Sequence, residues 1–151
     1  MPKTIISDTS CLIILTKIGA LELLQKVYGQ IITTLDIAKE YGEVLPDWIE
    51  IATVTDKYRQ QLLEMQIDKG ESSAIALALE TPNSTKILDD YKARKVAERL
   101  GITFTGTIGV IIKAKLSGII PSIKPILEKI KQTDFRLSAE IELFALKVAN
   151  E

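Results

Sequence analysis

Short apolar segments alternate with amphipathic stretches along the whole chain. Positions 4–7, 30–33, 49–54, 86–88 and 102–104 carry apolar runs with the length and composition of buried strands. The intervals between these runs have helical spacing, and glycines mark helix ends, such as Gly19 after the first helix and Gly101 after the helix predicted over 91–100. Strands that alternate with helices at this pitch predict an α/β fold with a central parallel sheet.

Right-handed crossover connections restrict the layout of such a sheet. We expect a three-layer architecture in which about five strands run in the order 3-2-1-4-5, with helices on both faces. Residues 1–151 form a single domain, and the last two helices, at about 122–132 and 138–149, act as a C-terminal cap or as an interface. The last helix carries an apolar stripe, which we interpret as core rather than interface: Ile141, Phe144, Ala145 and Val148.

The amino-acid composition excludes several kinds of catalytic site. Apolar residues make up 46% of the chain and charged residues 26%, as in a folded globular protein. Histidine is absent and Cys11 is the single cysteine, which excludes an internal disulfide and Ser-His-Asp, Cys-His and His-zinc mechanisms. Cys11 itself lies in an apolar run, where a buried structural thiol is expected. No apolar run approaches the roughly 20 residues of a membrane span, so we expect a cytoplasmic protein.

Acidic side chains follow several of the predicted strands. Asp8 and the Asp89-Asp90 pair come directly after the first and fourth strands, and Glu40 and Glu71 lie on helices that follow other strands. Ligands of open α/β sheets bind outside the carboxyl ends of the strands, where the strand order reverses, so these carboxylates are expected to converge. A dry cluster of like charges needs a cation, and oxygen ligands without histidine suit Mg²⁺ or Mn²⁺.

The same acids also have structural explanations. Asp8 and Asp90 can cap helices, and Asp68 and Glu71 have the spacing of a capping box. Asp89 and Asp90 are adjacent, however, and only one of them is needed as a cap. Taken together, the acids favour a metal site that hydrolyses phosphodiester bonds.

Charge is distributed unevenly along the chain. The net charge of the protein is −1, yet residues 92–131 carry nine basic and two acidic side chains, a net of +7. A basic flank beside an acidic pocket suits an anionic polymer, although solvated helix faces explain such charges equally well. Lys92, Arg94 and Lys95, next to the acidic pair, are the candidate substrate-binding cations.

Several motifs carry a resemblance to a known family. They are Ile-Ser-Asp8-Thr9-Ser10-Cys-Leu-Ile, Glu40, Gly70-Glu71-Ser-Ser-Ala-Ile-Ala-Leu-Ala, Leu-Asp89-Asp90-Tyr-Lys-Ala-Arg94, Gly106-Thr107-Ile-Gly109-Val and Ala114-Lys115-Leu-Ser-Gly118-Ile-Ile-Pro121. Together they resemble the PIN-domain superfamily, and most closely its branch of small prokaryotic proteins similar to toxin ribonucleases of toxin–antitoxin pairs. The similarity extends over nearly the whole chain.

The resemblance implies a metal-dependent endoribonuclease. Asp8 would be the central ligand, Glu40 and Glu71 would complete the acidic pocket, and Asp90, with Asp89, would supply the fourth acid. Thr9 or Ser10 would hold a metal-bound water. An RNA substrate, an antitoxin partner and a homodimer are implied in the same way. The chain departs from the family at Glu71, where many relatives have aspartate, and at Asp89-Asp90, which replaces a more usual Thr-x-Asp. The alternative is a non-catalytic module of the same fold that binds RNA or a partner protein.

Overall fold

The computed structural model describes residues 3–151, which form one α/β unit around a parallel sheet. The strands are β1 (Thr4–Ser7), β2 (Ile31–Thr34), β3 (Ile49–Ala52), β4 (Ser84–Ile87) and β5 (Phe104–Thr105). The helices are α1 (Thr9–Lys17), α2 (Glu22–Tyr28), α3 (Leu35–Tyr41), α4 (Lys57–Leu63), α5 (Lys69–Glu80), α6 (Tyr91–Arg99), α7 (Thr107–Leu116), α8 (Lys124–Lys131) and α9 (Ala139–Val148).

The strand order is β3-β2-β1-β4-β5 and every pairing is parallel, which confirms the predicted topology. Ile5 and Ile6 are consecutive in β1 and both are buried, at 4% and 0% exposure. Because successive strand residues point to opposite faces, both faces of the sheet are covered, as the sequence predicts. Helix α5 packs against β1, β2 and β4. Helix α2 packs against β2 and against α7.

The register of β1 and β4 places the two candidate acidic segments side by side. Thr4 pairs with Ser84 and Ser7 pairs with Ile87, so the chain leaves both strands at the same level of the sheet. The backbone N–H of Asp8 then donates to the carbonyl of Ile87 over 3.1 Å. This is the switch point of the sheet, since β1 and β4 are neighbours while the chain between them builds β2 and β3.

Helix α1 starts at Thr9, and its N-cap is Asp8, which is the structural explanation that the sequence offers for this residue. The carboxylate of Asp8 accepts the Cys11 N–H over 2.9 Å, which satisfies one of the unpaired donors of the first turn.

The C-terminal helices pack on the domain through a second apolar cluster. Its buried members come from α1, α7, α8 and α9 and from the residues that cap α8 and α9: Ile14, Ile111, Ile112, Ile123, Leu127, Ile130, Ala145 and Ala149. The predicted core stripe of α9 is wrong for three of its four residues. Ala145 is fully buried, but Ile141, Phe144 and Val148 are 46%, 64% and 38% exposed, because the small Ala145 and Ala149 are the residues that join this cluster.

No helix within residues 3–151 combines the length and the apolar character that crossing a bilayer requires.

Candidate active site

Asp8 lies at the centre of the site and is completely buried. Its Oδ1 accepts the N–H of Cys11 over 2.9 Å, and its Oδ2 accepts the N–H of Asp89 over 3.0 Å. Burial, together with the neighbouring charges of Asp89 and Glu71, raises the pKa of Asp8 from 3.8 to about 7, while the charge of Lys86 and the Cys11 N–H act in the opposite direction. Near neutral pH this carboxyl group is therefore poised between its neutral and charged forms.

The adjacent acids Asp89 and Asp90 have different surroundings. Asp90 is exposed and is the N-cap of α6, where its Oδ2 accepts the N–H of Ala93 over 2.9 Å. Asp89 instead faces the start of α7, where Oδ1 accepts the N–H of Thr107 over 2.9 Å and Oδ2 accepts its hydroxyl over 2.5 Å. A Cβ on Gly106 would lie 2.9 Å from Asp89 Oδ1, so glycine is needed there for the close approach.

Glu71 approaches the site from the first turn of α5. Asp68 caps this helix by accepting the N–H of Glu71 over 2.9 Å. Glu71 is 6% exposed, and its Oε2 lies 3.5 Å from Nζ of Lys86, which is itself fully buried in β4. Burial raises the pKa of Glu71, Lys86 lowers it, and the charges of Asp68 and Asp90 raise it further.

Glu40 reaches the site from α3. It is the more exposed of the two glutamates predicted for this site. Its Oε1 accepts the hydroxyl of Thr9 over 3.1 Å. The carboxylate lies over Gly70, where a Cβ would come within 1.7 Å of Oε1. Partial burial raises the pKa of Glu40, and the bond from Thr9 opposes that shift.

These side chains surround one cavity of about 380 Å³. Its carboxylates are Asp8, Glu40, Asp68, Glu71, Asp89 and Asp90. Thr9 and Ser10 also line it, and Phe135 and Arg136 close it from the segment before α9. All the acids predicted from the sequence thus lie at a single cavity. Within residues 3–151, however, no three carboxylate or thiol side chains are placed so that they could enclose one metal ion.

Sequence reasoning missed Asp68, Phe135, Arg136 and Lys86. Asp68 was interpreted only as a cap, and nothing in the sequence distinguishes Phe135 or Arg136. Lys86 carried a usable signal, because a lysine between Thr85 and Ile87 in a central strand is unusual. Cys11 is buried and burial raises the pKa of its thiol well above the ordinary value, which agrees with a structural role.

The three candidate substrate-binding cations have unequal surroundings. Arg94 is half-buried, donates from Nε to the carbonyl of Leu88 over 2.6 Å and lies over the ring of Phe104 at 5.3 Å. Lys95 is exposed and lies over the Tyr91 ring at 5.4 Å, and the exposed Lys92 lines a neighbouring cavity that also contains Asp90. Arg94 is thus committed to local structure, whereas the two lysines face solvent.

Comparison with known proteins agrees with this architecture. No curated protein and no solved structure gives a significant match. A family model described as a PIN domain matches residues 4–151, which is nearly the whole chain. PIN domains are generally nucleases that act with divalent metals. With this match, the five-stranded parallel sheet and the acidic cavity at its switch point, the chain belongs to the PIN-domain family.

Proposed function

We propose that this protein is a divalent-metal-dependent endoribonuclease of the toxin-like type, which hydrolyses RNA phosphodiester bonds at the cavity around Asp8. The observation that carries the proposal is the carboxylate of Asp8, completely buried at the switch point of the sheet in a cavity lined by six carboxyl groups. A buried carboxylate among like charges favours the binding of a cation.

The donor set fits a hard metal ion. Carboxylate oxygens are the ligands that Mg²⁺ and Mn²⁺ prefer, and Mg²⁺ is commonly held by only one or two protein carboxylates while it keeps several waters. The first candidates are Asp8, whose carboxylate accepts the N–H of Asp89, and Asp89, whose carboxylate accepts the N–H of Thr107. Glu71 and Asp90 are the further candidate ligands. When bound, the ion would activate water and neutralise charge on the phosphate.

The protein's own side chains would organise the reaction. Thr107 fixes both oxygens of Asp89, and Asp8 is fixed by two backbone N–H groups. Glu40 orients the hydroxyl of Thr9 at the edge of the cavity, next to Ser10, where the two hydroxyls can order water. Such fixed geometry is what a positioning mechanism needs.

Exposed cations around the cavity would hold the RNA. Arg136 lines the opening, and Lys92 and Lys95 lie on the exposed side of α6. Their charges favour an anionic substrate over a neutral one. With RNA as its substrate, we propose that the protein acts in the cytoplasm.

Partners are proposed on two grounds. The exposed apolar side chains of α9, Ile141, Phe144 and Val148, suit a homodimer interface. Resemblance to toxin-like relatives suggests that an antitoxin protein also binds this chain.

The direct test is cleavage of single-stranded RNA by the purified protein with Mn²⁺ and with chelator. We expect cleavage only with metal, and products without a 2′,3′-cyclic phosphate, because water rather than the ribose 2′-hydroxyl attacks. Asp8→Asn should abolish cleavage, and the exposed Asp47→Asn is the matched control that should not. RNA binding without cleavage by the wild type would favour the non-catalytic module instead.

A further inference from the structure

Lys86 is the largest side chain that the domain buries completely. It lies in the middle of the sheet, where its backbone pairs with Ile6 of β1 on one side and with Phe104 of β5 on the other. Burying an ammonium group is strongly unfavourable unless a charge compensates it. A position of this kind normally holds an apolar residue, so its lysine requires an explanation.

The ammonium group of Lys86 contacts one of the acids that line the cavity. Nζ lies 3.5 Å from Oε2 of Glu71, its one hydrogen-bond partner in the part of the chain that the structure describes. Its charge also acts on Asp8, where it lowers the pKa against the effect of burial. A single long contact uses one of three ammonium donors, which is poor geometry for an ion pair whose only role is to stabilise the fold.

The charges around the cavity explain what Lys86 can do there. Among the residues that the structure describes, six carboxylates line the cavity and Arg136 is the one cation in its lining, where it is exposed. Lys86 lies behind Glu71, on the side of the sheet, where solvent does not screen it. It therefore acts on the innermost acids, Glu71 and Asp8, more than on those at the rim.

We propose that Lys86 is the resident counter-ion of the acidic cavity: its ammonium neutralises Glu71 from the sheet side and so lowers the affinity of the cavity for a divalent cation. This inference rests on the proposed metal-dependent function. Glu71 then pairs with Lys86 in preference to binding the metal ion. Asp8 and Asp89 are the residues that bind the ion. Lys86 is a positioning residue that acts through Glu71, and it allows the domain to fold with the cavity empty of metal.

The test measures Mn²⁺ affinity and metal-free stability in parallel. Lys86→Met removes the charge with little change of length, and Lys86→Gln keeps a donor without charge in case the first variant does not fold. Glu71→Gln and the double variant Lys86→Met/Glu71→Gln complete a double-mutant cycle. Lys92→Met is the matched control, because it removes an exposed lysine beside the same site. The concentration of free Mn²⁺ is measured by electron paramagnetic resonance. Thermal unfolding midpoints are measured in the presence of chelator.

We expect both Lys86 variants to bind Mn²⁺ about tenfold or more tightly than wild type, the size of effect that changes behind a metal ligand typically have. Lys92→Met should change the affinity far less. In chelator, Lys86→Met should melt lower than wild type, and Glu71→Gln should recover part of that loss. Equal Mn²⁺ affinity of wild type and both Lys86 variants overturns the inference and leaves the metal site intact. Mn²⁺ bound by the Lys86 variants and not by wild type supports the inference and overturns the proposed function. No Mn²⁺ bound by any variant overturns both.

Discussion

The backbone N–H of Asp89 donates to Oδ2 of Asp8 over 3.0 Å, so the segments that leave β1 and β4 are joined through a carboxylate. Two residues 81 positions apart in sequence thereby share one site. The same carboxylate caps α1 through Cys11. Capping α1 and lying at the centre of the acidic cavity are therefore compatible for Asp8, because one oxygen caps the helix while the other accepts the backbone N–H of Asp89.

The first prediction concerns the pH dependence of stability without metal. Burial and neighbouring acids raise the pKa of Asp8 from its ordinary 3.8 to about 7 in the folded protein, so the folded state binds the proton more tightly. Stability contributed by this group is present below pH 4 and is lost as pH rises towards 7. Asp8→Asn lacks this loss, but its amide nitrogen cannot accept the N–H of Asp89, whereas a carboxyl oxygen can accept it in the neutral and in the charged form.

In chelator, Asp8→Asn should therefore be less stable than wild type at pH 5, by about 1–3 kcal/mol for an unsatisfied buried donor. The difference should shrink or reverse by pH 8, where wild type carries the buried charge. Urea unfolding of both proteins at the two pH values measures this. A constant difference across the range would contradict a raised pKa for Asp8.

The second prediction concerns the hydroxyl of Thr107, which donates to Asp89. Thr107→Val keeps the shape and the backbone N–H but removes that bond, so we expect a loss of about 1.5–3 kcal/mol, as for hydrogen bonds to charged groups. If Asp89 binds metal, Mn²⁺ affinity should also fall about 10–100-fold. Chemical unfolding and metal titration give the two values.

Thr85→Val is the matched control for this substitution. The hydroxyl of Thr85 is buried and no hydrogen-bond partner for it lies within residues 3–151. Replacing it should leave stability unchanged or raise it, because an unsatisfied polar group is removed. An equal loss in both variants would show that Asp89 gains nothing from Thr107.

The sheet order was predictable because alternating elements and right-handed crossovers leave few arrangements. The boundaries of the strands were less predictable than their order. β4 begins at Ser84 rather than at Lys86, since the polar Ser84 and Thr85 pair with Thr4 and Ile5 and carry no hydrophobic signal. β5 contains only Phe104–Thr105, so it begins two residues later and ends one residue later than the apolar run at 102–104, because its pairing with Lys86 and Ile87 sets its position.

Only the cavity residues that follow the strands of the sheet were predictable from the sequence. Acids at strand ends converge because parallel strands share a carboxyl edge. Arg136 and Phe135 reach the cavity through packing of the C-terminal helices, which local sequence does not encode. The balance of charges around the cavity also differed from the prediction made from the sequence. A dry acidic cluster was expected to need a metal ion, whereas Lys86 already supplies a buried positive charge.

The third prediction separates the position of Glu40 from the stability of the fold. In Gly70→Ala the new Cβ would lie 1.7 Å from Oε1 of Glu40, so that exposed side chain must move away from Thr9. Because alanine is the better helix former, by up to about 1 kcal/mol, the thermal midpoint should be unchanged or higher. RNA cleavage should fall to the level of Glu40→Gln.

The double variant Gly70→Ala/Glu40→Gln provides the control. If the glycine matters only through Glu40, the double variant should cleave RNA no more slowly than either single variant. A further loss in the double variant would mean that Gly70 acts through another contact.

The fourth prediction concerns self-association through α9. Phe144 is 64% exposed, so Phe144→Asp should leave the thermal midpoint almost unchanged while a homodimer, the state we expect at micromolar concentration, dissociates. Leu62→Asp is the matched control, because Leu62 is 65% exposed on α4. Sedimentation velocity measures both variants. A monomeric wild type, or a Phe144→Asp protein that remains dimeric, would exclude this interface.

The fifth prediction assigns different roles to the basic residues near the cavity. Lys92→Ala, Lys95→Ala and Arg136→Ala should each weaken binding of single-stranded RNA at low salt. Each should also reduce the slope of log affinity against log salt by about 0.7, the value for one phosphate contact on a single strand. Lys57→Ala removes an exposed lysine on α4, outside both the cavity lining and α6, and should leave the slope unchanged. Arg94→Ala should instead lower the thermal midpoint, because its Nε supports the carbonyl of Leu88 next to Asp89. Fluorescence anisotropy in chelator, which prevents cleavage, measures binding across a salt series. Unchanged slopes for all three cavity variants would mean that RNA approaches from another face of the domain.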